Sequence, residues 1–160
     1  MNKPNNCNAV LVNKEKGNTL GLGNISIPVP KKGEVLIRVH AAGVNRADVE
    51  QRQGGYPPPR GASAILGLEV SGVVEDVGPE IQKFKPGDRV MALIPGGGYA
   101  DYCIAPVETT HPIPTPLNFV EAAAIPEAYY TIWSNLFDAA RMKAGETLLV
   151  HGGTSGVGST

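Results

Sequence analysis

Glycines near the carboxyl-terminal end of the sequence could bind a phosphate group. Residues 153–158 read Gly-Thr-Ser-Gly-Val-Gly and follow an apolar run, residues 147–150. A buried strand that leads into a glycine-rich turn opens a nucleotide-binding βαβ unit, where backbone amides and a helix N-terminus face a pyrophosphate. Ser155 occupies the middle position of the G-x-G-x-x-G pattern, so the strict pattern is not met. A flexible terminal loop is the alternative, and the preceding strand pattern favours phosphate binding.

Metal-binding residue types are few and scattered. The sequence contains three histidines, His40, His111 and His151, and two cysteines, Cys7 and Cys103. None of the histidines has a second ligand at a spacing that zinc sites use, so we expect structural roles for them. Two cysteines can form at most one disulfide, which gives little support for a secreted protein.

Composition narrows the class of protein. Apolar residues make up 42% of the 160 residues and charged residues 18%, a balance typical of a globular domain. The formal net charge of -1 provides no excess of positive charge that would attract nucleic acid or an anionic membrane. The sequence contains no apolar run long enough to span a bilayer and no signal-peptide core. We therefore expect a cytoplasmic protein without nucleic-acid or membrane partners.

Short strands separated by turns dominate the first two thirds of the chain. The clearest strand covers residues 34–41, where Val35, Ile37 and Val39 share one face. Similar patterns predict the remaining strands at residues 9–12, 25–29, 68–77, 89–94 and 99–105. Glycine and proline turn signals lie between them. Many short strands at this spacing indicate a mainly β fold, a barrel or a sandwich.

The pattern changes after Pro116. Asn118 can cap a helix that begins at Phe119, and a second helix follows Pro126 and runs to about Arg141. Its apolar residues Ile132, Leu136 and Phe137 are expected in a core. Residues 147–150 are then predicted as a buried strand, although a lone strand cannot complete a parallel sheet. We expect two parts, residues 1–118 and residues 119–160, the second being the truncated start of a Rossmann domain.

Several segments together resemble the medium-chain dehydrogenase/reductase superfamily, and in particular its zinc-independent quinone oxidoreductases, the zeta-crystallin-like branch. The matching segments are residues 45–48 (Asn-Arg-Ala-Asp), 51–54 (Gln-Arg-Gln-Gly), 56–59 (Tyr-Pro-Pro-Pro), 66–69 (Leu-Gly-Leu-Glu), 95–98 (Pro-Gly-Gly-Gly), 123–128 (Ala-Ala-Ile-Pro-Glu-Ala) and 153–158. The resemblance implies a GroES-like β-barrel catalytic domain followed by a Rossmann domain. In a protein about twice this length, the cleft lies between the two domains.

The same resemblance implies that no zinc is bound. In the zinc-dependent alcohol dehydrogenases of the superfamily, a cysteine stands at the position of Asn45 and a histidine at that of Leu68. Leucine cannot bind a metal and asparagine is a poor zinc ligand, so Glu69 is left alone as a ligand type. We read Glu69 primarily as a buried polar residue with a structural partner.

The implied activity is hydride transfer from a nicotinamide, NADPH with NADH not excluded, to a quinone or another α,β-unsaturated carbonyl. By position, Asn45 and Asp48 lie beside the nicotinamide, Tyr56 faces the substrate, and Thr131 supports the nicotinamide ribose and carboxamide. The cofactor-binding set also includes residues of the glycine turn, namely Gly153, Ser155, Gly156, Val157 and Gly158. Asn45 and Tyr56 are the expected hydrogen-bond donors to the oxyanion that hydride transfer creates. No dedicated proton donor is obvious.

Each of these residues has a purely structural alternative. Asn45 can cap the turn after its strand, and Asp48 can pair with Arg52 on a helix surface. Tyr56 can simply pack in its loop, and Thr131 can fill a helix position.

Two rival functions remain open. One is an enoyl-thioester reductase of the same superfamily, and the other is a non-catalytic GroES-like binding module. We expect residues 1–160 alone to be inactive as a reductase, and the full-length protein to be a homodimer or homotetramer.

Overall fold

The computed structural model describes residues 5–160. The chain begins with a two-stranded antiparallel ribbon of β1 (Asn6–Asn13) and β2 (Thr19–Ser26), which confirms the strand expected at residues 9–12. The ribbon is joined to the rest of the domain where the amide of Val10 donates to the carbonyl of Tyr99 at 2.8 Å. The predicted alternation of residues 25–29 stops early, because Pro28 lacks the amide hydrogen that a strand ladder needs. Val29 is accordingly exposed.

A five-stranded antiparallel sheet forms the body of the domain. Its strands, in chain order, are β3 (Glu34–Ala42), β4 (Glu69–Val77), β5 (Arg89–Leu93), β6 (Tyr102–Pro106) and β7 (Thr110–Pro112). Their order across the sheet is β6-β3-β4-β5-β7. The register of β3 on β4 shifts twice, between Leu36 and Ile37 and again between Val39 and Ala41. Such bulges bend a strand and let a sheet curl around its core.

The core lies on the inner face of this sheet. Strand β3 contributes Val35 and Ile37, as its alternation predicts, and both are fully buried. They pack with buried apolar side chains of the other strands and of two loops, namely Val70, Val74, Phe84, Val90, Ala92, Ile94, Cys103 and Ala105. The prediction of a mainly β fold is confirmed, while the short strand β7 was not expected from the sequence.

Helices connect the sheet to the glycine turn. The chain forms α1 (Arg46–Gln53) after β3, then α2 (Phe119–Ala123) and α3 (Pro126–Trp133) after β7. Asn118 caps α2 as predicted, because its side chain accepts from the amide of Glu121 at 3.0 Å. The second predicted helix is α-helical only to Trp133 and continues as a π-helix over Ser134–Ala139. The last helix, α4 (Gly156–Ser159), is one turn long.

Two expectations for the carboxyl-terminal part are wrong. Residues 147–150 form no strand and their apolar side chains are exposed, Leu149 at 79%. A strand is held by hydrogen bonds to a neighbouring strand, and no strand within residues 5–160 pairs with this segment. Phe137, expected in a core, is 45% exposed because no described element covers that face of the helix.

Candidate functional site: a cleft between the sheet and the glycine turn

Asn45 lies at the point where β3 gives way to α1. It has extended backbone angles, and its backbone N–H donates to Oδ2 of Asp48 at 2.8 Å, as in one half of a capping box. Its side-chain Nδ2 donates to Oε1 of Glu69 at 2.9 Å. Asn45 thus occupies the N-cap position of α1, but its side chain makes no capping hydrogen bond and is held instead by a partner on the neighbouring strand β4.

Asp48 is buried beneath this junction, only 3% exposed. Besides the amide of Asn45, its carboxylate accepts from the amide of Gly67 at 3.0 Å and from the hydroxyl of Tyr99 at 2.9 Å. Burial and the bond to Asp48 raise the pKa of Tyr99, so its hydroxyl stays protonated and donates. Three donors thus satisfy a carboxylate that would be costly to bury unpaired.

Glu69 links this junction to helix α3. Its side chain is buried, and while Oε1 accepts from Asn45, Oε2 accepts from the amide of Glu127 at 2.9 Å. A carboxylate at a helix N-terminus is favoured by the amide groups that point toward it. The chain also passes close by, since a Cβ atom on Gly43 would lie 2.0 Å from Oε1 of Glu69. The expectation that Glu69 is a buried residue with a structural partner is confirmed.

Glu127, in the first turn of α3, is the partly exposed carboxyl group of the site. Partial burial, followed by the nearby charge of Glu69, raises its pKa above the usual carboxyl range. Thr131, one helical turn further on, donates to its Oε1 at 3.5 Å. The structure therefore places Thr131 beside Glu127.

The glycine turn ends in α4. The hydroxyl oxygen of Ser155 accepts from the amide of Gly158 at 3.0 Å and so caps this helix. A Cβ atom on Gly158 would lie 2.4 Å from the carbonyl oxygen of Gly152, so only glycine lets the helix pack onto its own turn. Gly156 differs, because a Cβ atom there would meet nothing within 4 Å. The space beside Gly156 is open.

A cleft of about 620 Å³ separates these two regions. Its two walls are the sheet junction, with Asn45 and Glu69, and the glycine turn, and Glu127 at the start of α3 also lines it. Of the residues predicted for the site, four line this cleft: Asn45, Ser155, Gly156 and Val157.

Five predicted residues do not line the cleft. Asp48 lies buried behind Asn45, Thr131 lies beyond Glu127, and Tyr56 sits in the exposed segment after α1. Gly153 and Gly158 belong to the turn without lining the cleft. The alternative pairing of Asp48 with Arg52 is wrong, since Asp48 bonds inward.

Two residues of the site were missed by the sequence reasoning. Glu127 follows the proline that begins a helix, and an acidic residue there is usually explained by the helix dipole alone. Tyr99 follows the three glycines of residues 96–98 and gave no periodic signal of its own. Only the approach of loops that are distant in the chain brings Tyr99 onto Asp48.

The donor set of the cleft fits part of a dinucleotide and does not resemble a metal centre. The first amides of a helix lack an intrahelical acceptor, and those at Gly156 and Val157 border open space, as a phosphate site requires. Within residues 5–160, no group of three or more histidine, cysteine or acidic side chains is arranged to hold a metal ion. In the same part of the chain, no helix has both the length and the apolar character needed to cross a membrane.

The fold and the cleft define an antiparallel β domain with a glycine-rich turn beside its cleft. Residues 31–115 match the family described as the alcohol dehydrogenase GroES-like domain, and the chain belongs to this family. The predicted GroES-like domain, and with it the resemblance to the medium-chain dehydrogenase/reductases, is confirmed.

Individual proteins similar to this chain include reductases. A mouse quinone oxidoreductase is 41% identical over 136 residues, which are 84% of this chain and 41% of that protein. The solved structure of the CurK enoyl reductase matches 98% of this chain and 49% of its own, at 26% identity and a TM-score of 0.83. A mycobacterial protein complexed with NADPH matches 95% of this chain and 47% of its own, at 34% identity and a TM-score of 0.80. The chain thus spans less than half the length of these proteins.

Proposed function

We propose that this chain is the substrate-side domain of a zinc-independent, nicotinamide-dependent reductase that acts on quinones or other α,β-unsaturated carbonyls. The observation that carries the proposal is the cleft in which Asn45 faces Ser155, Gly156 and Val157. It combines a fixed amide side chain with a glycine turn suited to a phosphate. The similarity to the mouse quinone oxidoreductase supports the choice of reaction.

In this proposal, a reduced nicotinamide cofactor supplies the hydride, and the protein supplies its binding and orientation. The amides at Gly156 and Val157 would hold the pyrophosphate, and Ser155 would shape the turn. NADPH is the favoured cofactor, because the similar mycobacterial protein is described in complex with it. NADH remains the alternative.

Asn45 is the residue we propose for contact with the reacting groups. One hydrogen of its Nδ2 is held by Glu69, which leaves the second hydrogen for a ligand in the cleft. A fixed donor of this kind can stabilise the oxyanion that develops on the acceptor. Asp48 acts from behind by holding the amide of Asn45, and Tyr56 and Thr131 remain proposed contacts from the substrate and cofactor sides.

The proposed absence of zinc is supported by the same hydrogen bond. One carboxylate oxygen of Glu69 accepts a hydrogen bond from Asn45 and the other accepts from the amide of Glu127, so both oxygens already have a partner that a metal would have to displace. A metal at this place would have to break a buried pair. It would gain only the Asn45 amide and the carboxylates of Glu69 and Glu127, with no thiolate or imidazole, the ligands that structural and catalytic zinc sites mostly use.

An enoyl-thioester reductase is the second candidate, favoured by the similarity to the CurK enoyl reductase. Its hydride chemistry is the same and only the acceptor differs. A third candidate, a GroES-like binding module without catalysis, would need no glycine turn beside the cleft.

We also propose that residues 1–160 alone have no reductase activity, and that the whole protein is a cytoplasmic homodimer or homotetramer.

The test is an assay of NADPH oxidation by the two-domain protein that carries this chain. One reaction contains an ortho-quinone and another a 2-enoyl thioester, each with and without a zinc chelator. Quinone turnover that is indifferent to the chelator is the expected result. Turnover of the thioester alone would transfer the protein to the enoyl reductases, and loss of activity on chelation would contradict the zinc-free site. No turnover of either acceptor would favour the binding module.

A further inference from the structure

Glu127 holds a position in the cleft that the proposed hydride transfer does not use. It is half-buried and lines the cleft together with Asn45 and residues of the glycine turn. Its own backbone amide is tied to buried Glu69, and the hydroxyl of Thr131 donates to its side chain. The start of α3 is therefore anchored to the sheet at Glu127, and the side chain of this residue has a contact with Thr131 while remaining partly exposed.

We propose that Glu127 donates the proton that must accompany the hydride in the reduction of the quinone or enone. This inference rests on the proposed function and names a group for a step that the sequence left without a donor. The hydride adds to the acceptor and breaks one π bond, which leaves an oxyanion or enolate. The O–H bond of the Glu127 carboxyl group then breaks, a new bond to hydrogen forms on the acceptor, and water reprotonates the carboxylate.

The surroundings of Glu127 favour its protonated form. Burial raises its pKa most, the negative charge of Glu69 on β4 raises it further, the hydrogen bond from Thr131 lowers it in part, and the charge of Asp48 on α1 raises it slightly, so that the pKa is raised on balance. A carboxyl group shifted toward neutral pH is a better general acid, since it still carries its proton when the acceptor needs one. Both neighbouring acidic side chains, Glu69 and Asp48, are buried and hydrogen-bonded to other groups, so they are held in fixed positions near Glu127.

The other charged groups near α3 are engaged elsewhere. Arg46, which also lines the cleft, forms an ion pair with Glu50 at 2.6 Å. Arg89 on β5 donates to the carbonyl of Leu117 and lies over the ring of Phe119.

The remaining neighbours add little charge. Glu121 of α2 accepts from the amide of Asn118, and α4 carries no ionisable side chain. Asp138 belongs to the π-helix that continues α3, more than two helical turns from Glu127 in the sequence. No described cation is thus paired with Glu127.

The test compares pH profiles of NADPH oxidation by the two-domain protein and its variants. The rate of the wild type should fall as pH rises through the pKa of Glu127. In Glu127→Gln the turnover number should drop about a hundred-fold, the size of a general-acid contribution, with KM little changed. The fall in rate at high pH should also be absent from the profile of this variant. Glu15→Gln, an exposed change on the amino-terminal ribbon, is the matched control and should leave the profile unchanged.

A second variant separates proton donation from structure. Glu69→Gln removes a negative charge next to Glu127, so the fall in rate should occur at a pH lower by about half a unit or more. A merely structural role of Glu69 would lower the rate without changing the pH at which it falls. Titration of the Glu127 carboxyl carbon by NMR in the 160-residue chain gives the same comparison without turnover. A raised titration midpoint in the wild-type chain is expected, and a midpoint in the ordinary glutamate range would overturn the proposal.

The outcomes distinguish the two levels of the proposal. Turnover with an unchanged rate and profile in Glu127→Gln would overturn the role of Glu127 and leave the proposed function standing. Absence of turnover in the wild type with every quinone and enone would overturn the proposed function, and the proton-donor role with it.

Discussion

The two walls of the cleft are built in different ways. On the sheet side, buried Asp48 and Glu69 each form hydrogen bonds with groups far away in the chain, and the sheet has a core of buried apolar side chains. On the glycine-turn side, residues 141–155 form no strand or helix, and the apolar side chains at residues 148–150 are exposed. The first wall has its shape from many tertiary contacts within the described residues, whereas the second has it mainly from local turn geometry and from the contact of α4 with α3.

This difference separates two kinds of sequence signal. A turn or a cap is a local structure, so Ser155 can cap α4 without outside help. A buried strand exists only when its neighbours are present, so the apolar run at residues 147–150 stays unpaired. Stability should therefore respond strongly to changes on the sheet side and weakly to changes on the glycine-turn side.

The largest effect is expected for Asp48→Ala. The change would leave the amides of Asn45 and Gly67 and the hydroxyl of Tyr99 without their buried acceptor. We expect a loss of about 3–5 kcal/mol in the free energy of unfolding, measured by chemical denaturation. Glu15→Ala is the exposed control, and a loss below about 1 kcal/mol for Asp48→Ala would show that this network does not hold the wall together.

A matched pair of apolar truncations should divide the two regions cleanly. Val70 is fully buried in the sheet, so Val70→Ala should cost about 2–3 kcal/mol through lost burial and a cavity. Leu149 is 79% exposed, so Leu149→Ala should change the stability of the same chain by less than about 0.5 kcal/mol. Equal losses at the two positions would mean that the carboxyl-terminal part is packed.

A smaller effect is expected for Gly43→Ala. The new methyl group would collide with Oε1 of Glu69, which must move away from Asn45. We expect a cost of about 1–3 kcal/mol from overpacking, together with a changed NMR signal for the Asn45 side-chain amide. Gly153→Ala meets nothing within 4 Å and serves as the control. An unchanged Asn45 signal in Gly43→Ala would argue against the fixed orientation of that side chain.

What the sequence could predict follows the same division. The strand at β3 and the capping pattern at Asn118 are local, and both predictions are confirmed. The family was recognisable because several short segments matched at once. Glu127 and Tyr99 were missed because their importance depends on which distant groups they meet, Glu69 in one case and Asp48 in the other. Asp48 was placed near the site, but its burial and its three donors could be found only in the folded chain.

The central claim is that the cleft between Asn45 and the glycine turn holds the cofactor, and Gly156→Ala tests it most directly. The new methyl group meets no protein atom within 4 Å, and alanine is more favourable than glycine in a helix, so the fold should be unaffected. The methyl group would instead enter the space proposed for the pyrophosphate. Titration of the two-domain protein with NADPH should show an affinity at least about tenfold weaker than that of the wild type, a loss of roughly 1.4 kcal/mol. Equal affinity in a folded Gly156→Ala protein would contradict the account.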